Sequence, residues 1–249
     1  MVASLSVTHS RALGSRLDFE GESELDTTTG YVAEMALPRS PKGRAKLVHQ
    51  RLKLEYPEAI CELDHQNPFE LLVATILSAQ CTDVRVNMVT PELFRRWPDA
   101  ERLSEADPEQ LAEVIRSTGF YNSKVKNLLA MSNRLVEHYG GEVPGAMADL
   151  TSLAGVGRKT ANVVRSEALG LPGLPVDTHV LRLTKRLGIT TETDPVKLEY
   201  ELNPMVPMAE RGEFSLRIIL HGRRVCFARS PQCGECSLND FCPSAANSS

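Results

Sequence analysis

The chain has 249 residues and a formal net charge of −4, with 28 Lys and Arg residues against 32 Asp and Glu residues. Hydrophobic residues make up 42% of it and charged residues 24%, which is ordinary for a globular protein and excludes collagen, a disulfide scaffold and a wholly disordered chain. The longest uncharged apolar run, Leu71 to Thr82, is well short of the roughly twenty residues that a membrane-spanning helix needs, so we expect no membrane partner.

The first 42 residues are predicted to form a disordered tail. Acidic residues between Asp18 and Asp26 lie there among Ser, Thr and Gly, with little apolar periodicity. The chain opens with no basic segment followed by an apolar one, so no secretory signal is expected. We therefore expect a reducing, cytoplasmic location, in which the six cysteines bind metal or react rather than form disulfides.

From Arg44 onward the apolar residues recur at helical spacing, which predicts an all-α fold. Asn67, Pro68 and Glu70 predict the start of a helix through Leu77 that is apolar nearly all round and so belongs at the buried centre of a bundle. A long helix with one apolar stripe is predicted over 123–139, where two glycines end it. Shorter helices fit residues 108–117, 146–153, 158–169, 177–187, 195–203 and 212–225.

Two glycines, Gly155 and Gly157, separate two of the short helices. They let the backbone turn tightly, and the amides at the start of the following helix offer a site for an anion such as a DNA phosphate. A glycine-capped connection without any ligand explains the pair equally well. The full string Leu-Ala-Gly-Val-Gly-Arg-Lys-Thr-Ala-Asn resembles the helix-hairpin-helix motif of DNA glycosylases of the endonuclease III family, with Ala154 where that family usually has proline.

Lys159 and Asp177 are the candidate catalytic residues. Locally, a solvated lysine and an N-cap aspartate would explain both. A lysine nucleophile must lose its proton, which partial burial, a cationic neighbour and a helix N-terminus all favour. The segment 157–164, followed by Val-Asp-Thr-His at 176–179, resembles the active-site segment of endonuclease III.

This resemblance implies that Lys159 attacks the sugar of a damaged nucleotide, and that the resulting Schiff base permits β-elimination, which nicks the strand on the 3′ side. It implies that Asp177 assists by electrostatic stabilisation and proton transfer. Arg158 and His179, next to the two catalytic residues in the sequence, are predicted DNA contacts.

Four cysteines lie close together near the C-terminal end, in the pattern C-x6-C-x2-C-x5-C: Cys226, Cys233, Cys236 and Cys242. Four thiolates suit zinc and an iron–sulfur cluster alike, so the ligand type leaves the metal open. The spacing and the preceding His-Gly-Arg-Arg resemble the [4Fe–4S] segment of the same family, which implies a structural, DNA-positioning cluster. Three arginines around it, Arg223, Arg224 and Arg229, are predicted phosphate contacts or, alternatively, a solvated basic surface.

An enzyme that acts on a nucleotide within a duplex must flip it out and fill the gap. The strings 77–83 and 119–124 resemble family segments that do this, although an ordinary helix end and a core aromatic would also explain them. The resemblance implies that Gln80 fills the vacated space and that Phe120 wedges the opposite strand. Tyr121 and Lys124 are predicted as further DNA contacts.

The resemblance implies a two-domain helix-hairpin-helix glycosylase fold: a six-helix domain over 67–172, and an iron–sulfur domain made of 43–66 and 173–249. Lys159 and Asp177 would meet in the cleft between them. The expected function is that of a monomeric, nucleoid-associated enzyme that removes oxidised pyrimidines such as thymine glycol from damaged double-stranded DNA and nicks abasic sites. The alternatives are an adenine-mismatch glycosylase and a non-catalytic, metal-containing DNA-binding module.

A net charge of −4 by itself argues against a DNA partner, because DNA-binding proteins usually carry basic surfaces, but the distribution of charge removes that objection. Residues 150–190 hold six basic and two acidic residues, a net +4, and residues 215–249 hold four basic and two acidic residues, a net +2. Residues 1–30 hold two basic and five acidic residues, a net −3. The basic charge therefore lies in the two segments with the glycine pair and the cysteines.

Overall fold

The computed structural model describes residues 38–245, which form eleven α-helices and no strand, as predicted. No helix in this part of the chain has both the length and the apolar character needed to cross a bilayer. The helices are α1 (Pro41–Glu55), α2 (Pro68–Leu77), α3 (Asp83–Arg96), α4 (Ala100–Ser104), α5 (Pro108–Ile115), α6 (Tyr121–Tyr139), α7 (Met147–Thr151), α8 (Arg158–Glu167), α9 (Thr178–Arg186), α10 (Pro195–Leu202) and α11 (Arg211–Arg224).

The predicted tail lies outside the described residues as far as residue 37, but its predicted end at residue 42 is wrong. Helix α1 already begins at Pro41. The Ser40 hydroxyl accepts a hydrogen bond from the Gly43 amide at 3.1 Å. Pro41, at the first helical position, has no amide hydrogen and so leaves no donor without a partner.

Helix α2 forms the buried centre of the first half of the described chain, as its composition predicts. The Asn67 side chain accepts a hydrogen bond from the Glu70 amide at 2.9 Å, and the Glu70 carboxylate accepts one from the Gln66 amide at 2.7 Å. Every residue from Leu71 to Leu77 is buried. The two reciprocal bonds fix where the helix begins, and its apolar surface on all sides explains its burial.

Two helices of this region were not predicted. Helix α3 contains Pro91, which removes one helical hydrogen bond and normally argues against a helix interior. It forms nevertheless, because Val86, Val89 and Leu93 bury one face. Helix α4 is little more than one turn long. Residues 67–172 therefore contain seven α-helices rather than the predicted six.

The buried apolar residues form two separate clusters. The first core draws its residues from positions 63–164, and the second core from 45–56 and 174–241. Helix α8 packs against α2, which belongs to the first core, and against α11, which belongs to the second. Helix α8, which carries Lys159, therefore lies where the two cores meet.

Candidate active site

Lys159 and Asp177 line a single cleft. Lys159, Val163 and Glu167, at successive turns of α8, line one side of it, and residues of α11 line another. Lys159 is exposed, and its ammonium forms no ion pair or hydrogen bond with any side chain among residues 38–245. An amine that no carboxylate holds is free to approach a group that enters the cleft.

Asp177 is the N-cap of α9, which was its alternative local role. Its Oδ1 atom accepts hydrogen bonds from the amides of His179 at 2.8 Å and Val180 at 2.9 Å. Both bonds use the same oxygen, so Oδ2 has no hydrogen-bond partner within the described residues. Capping fixes the carboxylate in place and leaves one oxygen available for chemistry in the cleft.

The glycine pair forms a tight turn between α7 and α8, which we call the hairpin (residues 153–158). Gly155 has a φ of +78°, a left-handed conformation that L-residues rarely adopt, and a Cβ there would lie 3.0 Å from the Asn127 side chain. Gly157 has an extended backbone, no side-chain cap reaches the start of α8, and nothing lies within 4 Å of an added Cβ. The hairpin therefore needs glycine at 155 for its shape, whereas 157 presents open backbone.

Replacing Gly155 by Ala is expected to lower the free energy of unfolding by about 1–2 kcal/mol, because alanine resists the left-handed conformation. Gly157→Ala is the matched control, since alanine adopts an extended backbone freely and meets no neighbour. Thermal unfolding followed by circular dichroism measures the difference. Equal melting temperatures for the two variants would contradict the argument.

Arg158 forms an ion pair inside the protein rather than a free basic group. Its guanidinium donates two hydrogen bonds to the Glu199 carboxylate, at 2.7 and 2.9 Å, and its Cζ atom lies 4.8 Å from the centre of the Tyr200 ring. The Glu199 side chain is only 7% exposed. The pair joins α8 to α10, so its contribution to a DNA surface stays a prediction.

We expect Arg158→Met to lower the free energy of unfolding by about 3 kcal/mol, because it leaves the buried Glu199 carboxylate without its partner. Arg158→Met combined with Glu199→Gln should recover much of that loss, since the buried charge is then removed as well. Denaturant unfolding of both variants measures the two values. A double variant no more stable than the single one would contradict the pairing.

All four cysteines of the cluster segment line one cavity, together with apolar residues that include Leu183, Leu187 and Leu238. Among residues 38–245 no three Cys, His or carboxylate side chains are grouped closely enough to hold a single metal ion. Four thiols around a shared cavity are a ligand set that an iron–sulfur cluster can use.

Hydrogen-bond donors around the cavity also suit an iron–sulfur group, whose sulfurs accept such bonds. The Arg186 guanidinium lies 3.3 Å from Cys226 Sγ, and the Leu238 amide and His221 Nε2 lie 3.4 and 3.3 Å from Cys236 Sγ. Arg186 also donates to the carbonyls of residues 227 and 228. These contacts attach residues 226–242, which we call the cluster loop, to α9 and α11.

The predicted phosphate contacts around the cluster loop differ in how available they are. Arg229 is exposed, whereas Arg223 forms ion pairs with Glu62 and, at 3.1 Å, with Asp83. The Arg224 guanidinium lies 5.6 Å from the centre of the Tyr56 ring. Of these three arginines, only Arg229 has a guanidinium without a partner among the described residues.

His179 is partly buried beside Asp177 at the start of α9. Its Nδ1 atom lies 3.1 Å from the Arg182 guanidinium. Burial lowers the pKa of His179 from its ordinary value, and the Asp177 carboxylate opposes that effect. A neutral imidazole is therefore favoured at this position.

The two residues predicted to open a duplex share an unusual backbone conformation. Gln80 has a φ of +53° and Phe120 a φ of +50°, both left-handed. Phe120 is 68% exposed although it is a large apolar residue, and Gln80 is exposed as well. Tyr121 instead packs partly against the first core, with Arg116 over its ring. Strained, exposed residues of this kind are common at functional sites.

Lys124 is not at the surface, contrary to its prediction as a DNA contact. It is 4% exposed, and its ammonium donates to the carbonyls of Leu77 at 2.7 Å and Thr118 at 2.9 Å. Its place on the apolar side of α6 explains the burial, since Leu128 and Met131 lie one and two turns further along and are fully buried.

Sequence reasoning missed Glu167, which lines the cleft on the same face of α8 as Lys159. Burial raises the pKa of its carboxyl from the ordinary value, and the Ser166 hydroxyl donates to it at 3.0 Å. A spacing of eight residues from Lys159, about two helical turns, was the available signal.

Two family models match the chain. Residues 73–208 match the HhH-GPD superfamily base excision DNA repair protein model, and residues 226–242 match the iron-sulfur binding domain of endonuclease III. The second match covers the cluster loop from its first cysteine to its last.

Curated relatives and solved structures agree with the family models. The chain is 53% identical over 207 residues to endonuclease III of Synechocystis sp., which covers 83% of this chain and 94% of that protein. It is 40% identical over 192 residues to endonuclease III of Escherichia coli, 77% and 91% of the two chains. A non-covalent endonuclease III–DNA complex superposes with a TM-score of 0.79 at 41% identity, over 83% of this chain and 97% of that one.

Proposed function

We propose, because this chain belongs to the endonuclease III family of base excision DNA repair enzymes, that Lys159 is its nucleophile and Asp177 its assisting carboxylate. Membership makes the chain a DNA glycosylase with AP lyase activity that carries a [4Fe–4S] cluster. The four cysteines around the cavity are the proposed ligands of the cluster, which supplies a structural cross-link.

One observation supports the catalytic pair above all: an exposed, unpaired lysine shares a cleft with an aspartate that is fixed by two backbone amides. The neutral Lys159 amine attacks C1′ of the nucleotide, the C–N bond to the base breaks, and the base leaves with its electron pair. Asp177 stabilises the positive charge that develops on the sugar. The nitrogen now bonded to C1′ loses a proton, the C1′–O4′ bond breaks with O4′ taking up a proton, and the opened sugar is held as a Schiff base. Loss of a C2′ proton then expels the 3′ phosphate, and hydrolysis of the Schiff base frees Lys159.

Damaged double-stranded DNA is the proposed substrate, and oxidised pyrimidines such as thymine glycol are the proposed bases. A solved endonuclease III–DNA complex of the same fold supports the DNA partner. The open backbone at Gly157, with Gly155 shaping the turn, would bind a phosphate, and Arg229 would bind another. The left-handed, exposed Gln80 and Phe120 would fill the gap and wedge the opposite strand.

The two cores support a division into two domains near the predicted bounds, 67–172 and 43–66 with 173–249, except that Leu63 packs in the first core rather than the second. The cleft with Lys159 and Asp177 would then lie between them. We propose that the protein acts as a monomer on chromosomal DNA at the nucleoid, where its substrate is found.

A panel of four duplexes tests the proposed substrate: thymine glycol, an abasic site, uracil, and adenine opposite 8-oxoguanine. We expect cleavage of the first two, and a covalent adduct with the abasic-site duplex when borohydride reduces the Schiff base. Cleavage of the adenine duplex alone would assign the chain to the adenine-mismatch branch. Binding without any adduct or nick would make it a non-catalytic module.

Asp177→Asn separates the two roles of this residue. Asparagine caps a helix as well as aspartate does, so the melting temperature should stay close to that of the wild type. Base excision should nevertheless fall by about 100-fold, because the negative charge is lost. Asp177→Ala is the comparison, since it removes both the cap and the charge and should also lower stability by about 1 kcal/mol. Full activity of Asp177→Asn would show that only the cap matters.

A further inference from the structure

Lys124 connects the two segments that carry Gln80 and Phe120. Its ammonium bonds the carbonyl of Leu77, three residues before Gln80, and the carbonyl of Thr118, two residues before Phe120. These two segments are separated by about forty residues in the chain and are joined here through one buried group.

The bond to Leu77 completes the end of α2. Side-chain or backbone donors already reach the other carbonyls of its last turn: the Ser78 amide bonds Ala74, the Ser78 hydroxyl bonds Thr75, and the Ala79 amide bonds Ile76. The Leu77 carbonyl takes its hydrogen bond from Lys124. Because the C-terminal end of a helix is its negative pole, an ammonium is well placed there.

A buried lysine is costly, which argues against chance placement. No carboxylate among the described residues pairs with Lys124, and burial lowers the pKa of its ammonium from the ordinary value. A leucine or methionine would fill the same space more cheaply. The two carbonyl bonds therefore provide something that packing alone would not, namely a fixed distance between two backbone segments.

We propose that Lys124 is a positioning residue that holds the Gln80 turn and the Phe120 loop in the arrangement required to open a duplex. This proposal rests on the proposed function of Gln80 and Phe120. Both residues have left-handed backbones that few side chains adopt freely, so each needs its neighbours to hold it. Without Lys124 the Gln80 turn and the Phe120 loop would lose their fixed spacing, whereas Lys124 itself does not line the cleft that holds Lys159.

Lys124→Met tests this, because methionine keeps the length and the apolar stem of lysine and removes only the donor. Lys126→Met is the matched control, since Lys126 is two residues along α6 and exposed. Two substrates are compared: a thymine glycol duplex, which must be opened, and a single-stranded oligonucleotide with an abasic site, which need not be. We expect Lys124→Met to lose about 10- to 100-fold on the duplex and to nick the single strand at the wild-type rate.

Each other outcome counts against the proposal. Equal losses on both substrates would assign Lys124 to overall stability, and no loss on either would make its two bonds irrelevant to function. If Lys124→Met does not fold, Lys124→Gln, which keeps a shorter donor, takes its place; failure of both to fold would also overturn the proposal.

The same experiment separates this proposal from the proposed function. If the wild-type protein nicks neither the abasic duplex nor the abasic single strand, the assignment of lyase chemistry to this cleft is wrong, whatever Lys124 does. If Gln80→Ala and Phe120→Ala lose no duplex activity, those two residues do not open the duplex. A preferential loss of duplex cleavage in Lys124→Met together with losses in both of those variants supports the positioning role.

Discussion

Lys159→Ala is expected to give no borohydride-trapped adduct and to nick abasic-site DNA about 1,000-fold more slowly than the wild type, or slower still. The reason is chemical: without the amine no Schiff base forms, and β-elimination loses its electron sink. Lys159 is exposed and forms no side-chain hydrogen bond or ion pair within residues 38–245, so the variant should keep the wild-type melting temperature.

Lys197→Ala provides the control for Lys159→Ala. Lys197 is an exposed lysine of α10 that does not line the cleft, so its loss should leave both adduct and nicking unchanged. Binding of each variant to an uncleavable abasic duplex should be measured in parallel and should stay within a few-fold of the wild type. An adduct at the wild-type yield from Lys159→Ala would place the nucleophile elsewhere in the chain.

The sequence predicted the roles of residues that depend only on their near neighbours in the chain. Asn67 and Asp177 were predictable because an N-cap satisfies amides two or three residues away. Gly155 was predictable because a left-handed turn between two helices favours glycine. The four cysteines were predictable as a group because their spacing is short.

Contacts between distant segments were not predictable in the same way. Arg158 looked like a free basic residue because its partner Glu199 lies 41 residues away. Lys124 looked like a surface lysine because a charged residue is seldom buried, although its helical spacing to Leu128 and Met131 indicated the core. Helix α3 was not predicted because Pro91 argues against a helix more strongly than the three buried apolar residues argue for one.

Cys236→Ala is expected to abolish the visible absorption that an iron–sulfur cluster gives and to destabilise the second core. The binding free energy of a structural metal centre contributes directly to folding and is on the order of 10 kcal/mol. Leu238 and Phe241 of the cluster loop belong to the second core, and Cys236 packs against it. Loss of the cluster therefore removes the cross-link that keeps these apolar residues in place.

Cys61→Ala is the matched control for the cluster ligand. Cys61 packs against the first core and does not line the cavity of the four cysteines, so its loss removes no proposed ligand. Iron content and visible absorption of Cys61→Ala should equal those of the wild type. A Cys236→Ala protein that keeps its iron and its absorption would remove Cys236 from the ligand set.

The effect of Cys236→Ala on DNA binding and base excision should follow from the position of α9. Arg182 donates to the carbonyls of Gly222 and Cys226, and Arg186 donates to the carbonyl of Phe227. These hydrogen bonds join α9 to the cluster loop. Asp177 caps that same helix. Cys236→Ala should therefore lose base excision as well as affinity for a duplex, even though none of the four cysteines of the cluster loop lines the catalytic cleft. A variant that lost affinity alone, with normal excision at saturating enzyme, would show that the cluster loop binds DNA without supporting Asp177.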